Sequence, residues 1–502
     1  MLTSLLIFAL NCPPECQDLN PEDSAVKVFS TIREPDFDRP WAKKKPVETV
    51  GSAVVLAGGL LVTNAHVVDY AQRVELLPNG ATERYEAEVL HLSYEDDLAL
   101  VRPIDDSFFD TFPSVELSTA LPVPGSEVIV AGFPEGGDEL SKTTGNVNRY
   151  VYRRAGGFQG LSIQVDASIN EGNSGGPVFQ DGKVIGIAFQ KNKSARADNI
   201  GYVIPGETVQ RFLDDAEDGQ VEGTRSLRIS WSRCENPVMR KHLGISKEQD
   251  GVILYPSSSW TPENFAIKPL DVLLEIAGHN VDNYGRIQLS DAGMIEWEYM
   301  IPWAGASGVL PLTILRNKEV LQLEAETILE VPRRIVRLDG RYPSYYIYGP
   351  VTFVELSAEH LNRFNGNIMF NNQISGWPGM MEARQSPTPE YQRVVSANYN
   401  LLSHRIAKGY ESPLALPVLR KVNGIPIKDL KDLASILENM ESATVFFEFD
   451  NRGKHSVRNF NREGKQDFVF DHKEVLRTRE EILEEAGIRR YYSKDLADVI
   501  QD

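Results

Sequence analysis

The chain has 502 residues, with 52 basic and 71 acidic side chains, and its net charge of −19 argues against a nucleic-acid or anionic-membrane surface. Apolar residues make up 42%, enough for sizeable cores, and the length predicts about three domains at roughly 150 residues each. No apolar run of about 18 residues exists, so no integral membrane span is expected, and Cys12, Cys16 and Cys234 supply neither a disulfide framework nor a zinc-ligand set.

Residues 1–10 are apolar like a secretory core segment, but they lack a basic lead beyond the amino terminus and a clear small-residue cleavage site. Asn11 before Cys12 makes a poor lipoprotein site. The reading is a shortened signal and a periplasmic or exported protein, with an ordinary cytoplasmic start as the alternative. Lys43-Lys44-Lys45 is a lone basic run and reads as a solvated one.

Short strand-like runs with Gly and Asn turns fill residues 47–205, which favours a β-barrel or sandwich over a βαβ array. Three segments within them carry chemistry: Thr63-Asn64-Ala65-His66-Val67-Val68, Asp97-Leu98-Ala99-Leu100 and Gly172-Asn173-Ser174-Gly175-Gly176-Pro177. A serine hydroxyl is a weak nucleophile until an imidazole takes its proton, and that imidazole needs a carboxylate to orient it. The order assigns Ser174 as nucleophile, His66 as general base and Asp97 as the orienting acid. Asp96 is the competing acid; Asp97 is preferred because it directly precedes the apolar strand Leu-Ala-Leu, where a carboxylate can be buried beside the histidine. The oxyanion hole is expected in the loop Gly172, Asn173, Ser174, with the N–H groups of Gly172 and Ser174 turned to one point because Gly172 has no Cβ. A neutral imidazole is required, so the rate is expected to fall below roughly pH 6 to 7.

Gly172 to Gly176 also fits the G-x-S-x-G elbow of α/β-hydrolases, for which His242 or His279 would nominally serve. Two features oppose it. The elbow order is Ser, acid, His, whereas both partners found here precede the serine; and the elbow leads into a helix, whereas Pro177 to Ile187 reads as two strands around Asp181-Gly182.

After the strands, residues 208–217 read as a closing helix with Val209, Phe212 and Leu213 on one face, overlapping an acidic linker over 214–223. The three chemical segments together resemble the Deg/HtrA family of ATP-independent serine proteases. The entry over residues 24–41, the strand Val47-Glu48-Thr49-Val50-Gly51-Ser52-Ala53-Val54-Val55 and the stretch over 170–179 are similar to that family's protease domain. Glu235-Asn236-Pro237 before Arg240-Lys241, Pro343-Ser344-Tyr345-Tyr346 and Lys421-Val422-Asn423-Gly424 are most similar to the plant nuclear Deg branch and its bacterial relatives. The resemblance implies a mainly β chain: a chymotrypsin-like double β-barrel over residues 22–218, then two PDZ-like α+β domains over 224–332 and 338–462, and a tail over 463–502. It also implies a homo-oligomer built from trimers, acting on unfolded or damaged polypeptides.

Within the second domain a short helix is expected near Pro237–Leu243, a strand over 251–254 and another over 270–279. A PDZ domain adds an extended peptide to a sheet edge while backbone amides hold its carboxylate. The glycine loop that does so is replaced by Leu227-Arg228-Ile229, and in the third domain by Tyr348-Gly349-Pro350-Val351, whose proline has no N–H to give. C-terminal peptide capture is therefore not expected, and the third domain reads as a packing or assembly element. Its insertion over 365–413 is rich in Asn, Pro and Gly; residues 418–449 read as strand, turn, helix and strand. The tail from 474 onward reads as two amphipathic helices with a solvated surface or an oligomer contact as their use.

In chymotrypsin-like folds the residue six before the nucleophile, here Ser168, floors the primary pocket, and an uncharged floor disfavours Lys or Arg at the cleavage position. Ile169 and the strand bearing Ala188, Phe189 and Gln190 would supply walls, with Phe189 and Gln190 filling space. Cleavage after small or medium aliphatic residues is the expectation. Three Gly-Lys pairs, at Lys183, Lys454 and Lys465, lack a following Ser or Thr, so no ATP loop is read, and neither cofactor nor metal is expected. Two functional classes stand: an active endopeptidase of protein quality control, and a chaperone-like or scaffold protein whose active site rests disordered.

Overall fold

The computed structural model describes residues 20–500 except 136, 138, 156–157, 192–199, 257–263, 290–291, 330–332, 366–378, 380–381, 384, 399, 411–415 and 451–467. The apolar start, Cys12, Cys16, Lys454 and Lys465 therefore lie outside the described residues.

Two closed six-stranded barrels stand first. The first orders β1 (Ala25–Ile32), β2 (Val47–Leu56), β3 (Leu60–Thr63), β6 (Leu98–Pro103), β5 (Tyr85–Ser93) and β4 (Ala71–Pro78) as β1-β2-β3-β6-β5-β4. The second joins β10 (Pro177–Gln180), β11 (Lys183–Lys191), β12 (Gly201–Pro205), β9 (Phe158–Val165), β8 (Ser141–Ala155) and β7 (Glu127–Gly132) in that sequence. Strands facing the gap between barrels are buried on both sides. In β2, Ala53 and Val55 enter the first barrel's core, while Val54 and Leu56 join Leu98, Phe179, Ile187 and Phe212 between the barrels. Alternation of side chains along a strand thus gives two cores from one apolar run. The helix Gly206–Ala216 closes that seam with Val209, Phe212 and Leu213, the three residues expected on its face.

The second domain's main sheet runs Ile229–Arg233, Val252–Pro256, Val272–Ile276, Val309–Arg316, Glu319–Glu326, and the expected helix forms at Pro237–Leu243, capped by the Asn236 side chain. Arg228 takes a left-handed φ of 55° where glycine would be unstrained. This domain leans on the second barrel: Ala292, Ile295 and Tyr299 belong to that barrel's core cluster, and Glu296 accepts from the Tyr152 N–H at 3.1 Å. Tyr299 Oη donates to Glu207 Oε2 at 3.0 Å. Burial there pushes the Glu207 carboxyl up to about 7, against the opposing Tyr299 hydrogen bond and the Arg211 charge.

A carboxyl raised in the folded state favours the protonated form, so its stabilisation is complete below the unfolded value and is lost as pH rises through about 7. Denaturant melts are expected to show wild type losing up to about 3 kcal/mol between pH 4.5 and 8 from this group. Glu207→Gln should flatten that part of the slope; an unchanged slope would remove Glu207 as its source.

The third domain docks on the first barrel's entry segment. Asn398 Nδ2 donates to Phe37 O and Asp38 O, both at 3.1 Å, and Trp41 meets Tyr345 edge to face with ring centres 6.1 Å apart. Three differences from the sequence reading appear in this domain. The insertion supplies a strand, Val395–Ala397, that pairs with Val351–Glu355. The tail supplies the strand Phe468–Asp471 on Thr444–Phe449, then a single 14-residue helix, His472–Glu485, and a short 3-10 turn at Lys494–Leu496. Nor is the tail merely solvated: Val475, Leu496 and Ile500 are buried in the third domain's core. The reason is long-range: these apolar residues find partners more than a hundred positions upstream, beyond the reach of helical periodicity. Tyr348-Gly349-Pro350-Val351 is a tight hairpin, so Val351–Glu355 has both edges paired and offers no edge to a peptide. No helix among the described residues is long and apolar enough to cross a membrane.

Candidate active site

His66 sits on a four-residue helix, Ala65–Val68, that follows β3, and Asp97 ends the turn between β5 and β6. The pairing of β3 with β6, Thr63 opposite Ala99, sets these two ends side by side. Asp97 grips His66 twice: Oδ2 lies 2.7 Å from Nδ1, and Oδ1 accepts the His66 backbone N–H at 3.0 Å. Asn64 Nδ2 donates to the Asp97 carbonyl at 2.9 Å. The imidazole remains half exposed. Asp96 faces away; it is 4% exposed, accepts from Ser93 Oγ at 2.9 Å and pairs with Arg211 at 2.6 Å.

Ser174 lies in the loop before β10 and comes from the other barrel. A backbone bond from Ser52 N–H to Ser174 O at 2.8 Å joins them, and Ser52 Oγ reaches further, donating to Gly172 O at 2.8 Å and accepting from Phe133 N at 2.9 Å. Thr63 Oγ1 in turn donates to Ser52 O at 2.6 Å. Gly175 packs so tightly here that a Cβ would stand 2.0 Å from Ser52 O and 3.1 Å from Asn64 N, two residues before His66. The serine loop thus abuts the histidine's own strand end. Ser52 is wholly buried and is not among the residues the sequence singles out; its signal is a hydroxyl directly before the apolar run Ala53-Val54-Val55-Leu56.

The loop's conformation decides its donors. Asn173 N–H donates to Asn170 O at 3.0 Å, and Gly172 has φ 95°, which makes residues 170–173 a type II turn. Glu171 O accepts from Glu135 N at 2.9 Å, so the trans peptide that follows aims the Gly172 N–H to the opposite side. Among the described residues neither the Gly172 nor the Ser174 N–H donates a hydrogen bond. Asn173 departs from the expected set: its N–H is consumed in closing the turn, and the residue is 3% exposed, so it is no oxyanion donor.

Ser168 is half-buried on the segment after β9. Ile169 and Ala188 are buried in the second barrel's core cluster, and Ala188 ties the loop through its N–H to Gly176 O and its O to Gly175 N. Phe189 corrects the expectation of a pocket-filling ring: the ring belongs to the cluster between the barrels with Leu98 and Phe212, and only its carbonyl meets Ser174 Oγ, at 3.5 Å. Phe189 shares this inter-barrel face with Ile187, while Ala188 between them faces the second barrel's core. The Gln190 side chain lies outside the described residues. No group of three or more His, Cys, Asp or Glu is placed to hold a metal among them.

Comparison with known proteins follows the same outline. Residues 51–187 match a trypsin-like peptidase domain and residues 334–495 a PDZ domain. The chain is 31% identical over 442 residues to Protease Do-like 2, chloroplastic, of Arabidopsis thaliana, covering 87% of this chain and 71% of that one. It is 36% identical over 225 residues to a Serine protease DegP homolog of Plasmodium falciparum, covering 44% and 26% respectively. A solved HtrA-type protease, AlgW with tripeptide, is similar at 22% identity and a TM-score of 0.48, covering 61% of this chain and 94% of that one. With two closed barrels, a PDZ domain and a relative of this likeness along most of its length, the chain belongs to the Deg/HtrA family and is a serine endopeptidase.

Proposed function

We propose that Ser174, His66 and Asp97 form the catalytic triad, and that the chain cleaves unfolded or damaged polypeptides in protein quality control without ATP. The observation that carries the reading is the two-point grip of Asp97 on His66. That grip fixes the proton on Nδ1, so Nε2 is the basic nitrogen and faces the cleft. Nε2 takes the Ser174 proton as Oγ attacks the scissile carbonyl carbon. The oxyanion that forms is held by the free N–H groups of Gly172 and Ser174. His66 then gives its proton to the leaving amine, and water, deprotonated by the same nitrogen, releases the acyl chain. The type II turn supports a competent loop rather than a resting one, because the type I alternative would reverse the Gly172 peptide and turn its carbonyl inward.

Around this centre the reading assigns residues 22–218 to the protease domain, 224–332 to the first PDZ-like domain, and the remainder from 338, tail included, to the second. Its oligomer, built from trimers, rests on the family resemblance, and export rests on the apolar residues 1–10. Fluorophosphonate labelling of Ser174 tests the nucleophile, and an unlabelled Ser174 in a folded sample would favour the scaffold role. For specificity, Ser168 as an uncharged floor supports cleavage after Val, Ala or Ile. A peptide library should return those residues, and a profile dominated by Arg or Trp would reject this pocket assignment.

A further inference from the structure

The short helix bearing His66 cannot hold itself, since four residues make barely one turn and helices of that length are not self-stable. Both neighbourhoods of the pair are also strained. Asp97 has φ 53°, and Tyr70, two residues beyond the helix, has φ 55°, left-handed values that are unfavourable for a non-glycine residue. Contacts from outside these segments add to the bonds between them.

Beyond the direct bonds from Asn64 and His66 to Asp97, a further cross-link ties them together. Asp69 ends the His66 helix, and its Oδ1 accepts from Tyr94 Oη at 2.8 Å, while Tyr94 begins the turn that finishes at Asp97. The third domain closes over that link. The Arg337 guanidinium lies 4.9 Å from the centre of the Tyr94 ring. Gly340, at φ 74°, comes so near that a Cβ would stand 3.0 Å from Tyr94 Oη and 3.9 Å from Asp69 Oδ1. Tyr70 is held by the same segment: its Oη donates to Arg341 O at 3.2 Å, and its ring meets Tyr342 edge to face at 5.7 Å. Tyr342 Oη then donates to Arg33 O at 2.7 Å, and Arg33 N–H returns to Tyr70 O at 3.1 Å, closing a ring of contacts. The protease domain's closing helix and the linker hold the opposite flank of the turn, through Arg211 on Asp96 and Thr224 N–H on Glu95 at 3.1 Å.

We propose that residues 337–342, where the third domain begins, are a positioning element for the triad: pressed on Tyr94, Asp69 and Tyr70, they fix the His66 helix against the Asp97 turn. This rests on the triad reading above. It gives the third domain, whose strand Val351–Glu355 is closed to peptides, a catalytic consequence. Seated, it sets the imidazole against its carboxylate through Tyr94, Asp69 and Tyr70.

The test is steady-state hydrolysis of a small chromogenic peptide by the full chain. Gly340→Ala should lower kcat about tenfold with KM within twofold, since small misplacements of catalytic groups fall on turnover rather than on binding. Gly409→Ala is the control, because Gly409 has the same left-handed need, at φ 92°, but among the described residues nothing lies within 4 Å of a Cβ, and it should keep the wild-type kcat. Tyr94→Phe should lower kcat to a similar degree. The double variant should be no worse than Tyr94→Phe alone, because the oxygen that the new Cβ meets is gone. A wild-type kcat in both Gly340→Ala and Tyr94→Phe, or losses that multiply in the double variant, would overturn the positioning role while Ser174→Ala and His66→Ala remain inactive. Full activity in Ser174→Ala would instead sink the triad itself. Tyr94→Phe, nearly isosteric, keeps the test decisive if Gly340→Ala fails to fold.

Discussion

Ser174→Ala is expected to abolish hydrolysis of unfolded casein, with kcat falling on the order of a million-fold, as when a serine protease loses its nucleophile. The fold should be untouched. Among the described residues Ser174 Oγ makes only a long contact to Phe189 O, at 3.5 Å, and the loop is held by backbone bonds and by Ser52 rather than by this hydroxyl. The variant should therefore melt within about 0.5 kcal/mol of wild type, the range of substitutions that remove no buried contact. Residual turnover near the wild-type rate would place the nucleophile elsewhere. Loss of activity together with loss of the melting transition would make the residue structural instead.

The second large effect separates two adjacent acids. Asp97→Asn should lower kcat about 10⁴-fold, because an amide facing Nδ1 favours the wrong tautomer and cannot stabilise the imidazolium. Stability should change little, since Asn keeps an oxygen that can accept the His66 N–H. Asp96→Asn should do the reverse. Its carboxylate is buried against Arg211, with Ser93 as a further partner, and removing one member of a buried ion pair costs about 3 kcal/mol. Its kcat, measured where the protein remains folded, should stay within about tenfold of wild type, because the Asp97 carboxylate is untouched. Chemical denaturation and steady-state kinetics on the two variants check both halves, and equal kinetic losses in the two would contradict the division of labour.

Much of this site is legible in the chain itself, for reasons that are local. Asp97 can be chosen over Asp96 because the acid nearest the strand stands where β6 leaves the turn, and strand pairing carries it to His66. Gly172 signals a left-handed turn by its lack of a Cβ, and the structure gives it φ 95°. Val209, Phe212 and Leu213 announce one helix face by their spacing alone. Readings that fail do so where direction or distance matters. Phe189 reads as a pocket wall, but it shares its face of the strand with Ile187, and that face packs between the barrels while Ala188 faces the second barrel's core. Asn173 sits among donors in the sequence, yet its N–H is spent within the turn.

By itself, then, the sequence determined the family and its β-rich frame, and it carries the proposal for nucleophile, base and acid in their order. Periodicity, turn residues and motif spacing are properties of neighbours, and neighbours are visible in a line of letters. Only the tertiary structure decided what supports that chemistry. Ser52 locking the serine loop, the tail completing the third domain's core, and residues 337–342 pressing on Tyr94 and Asp69 all join segments far apart in the chain. Such contacts arise from how whole sheets pack, and packing depends on shapes that no single stretch of residues contains.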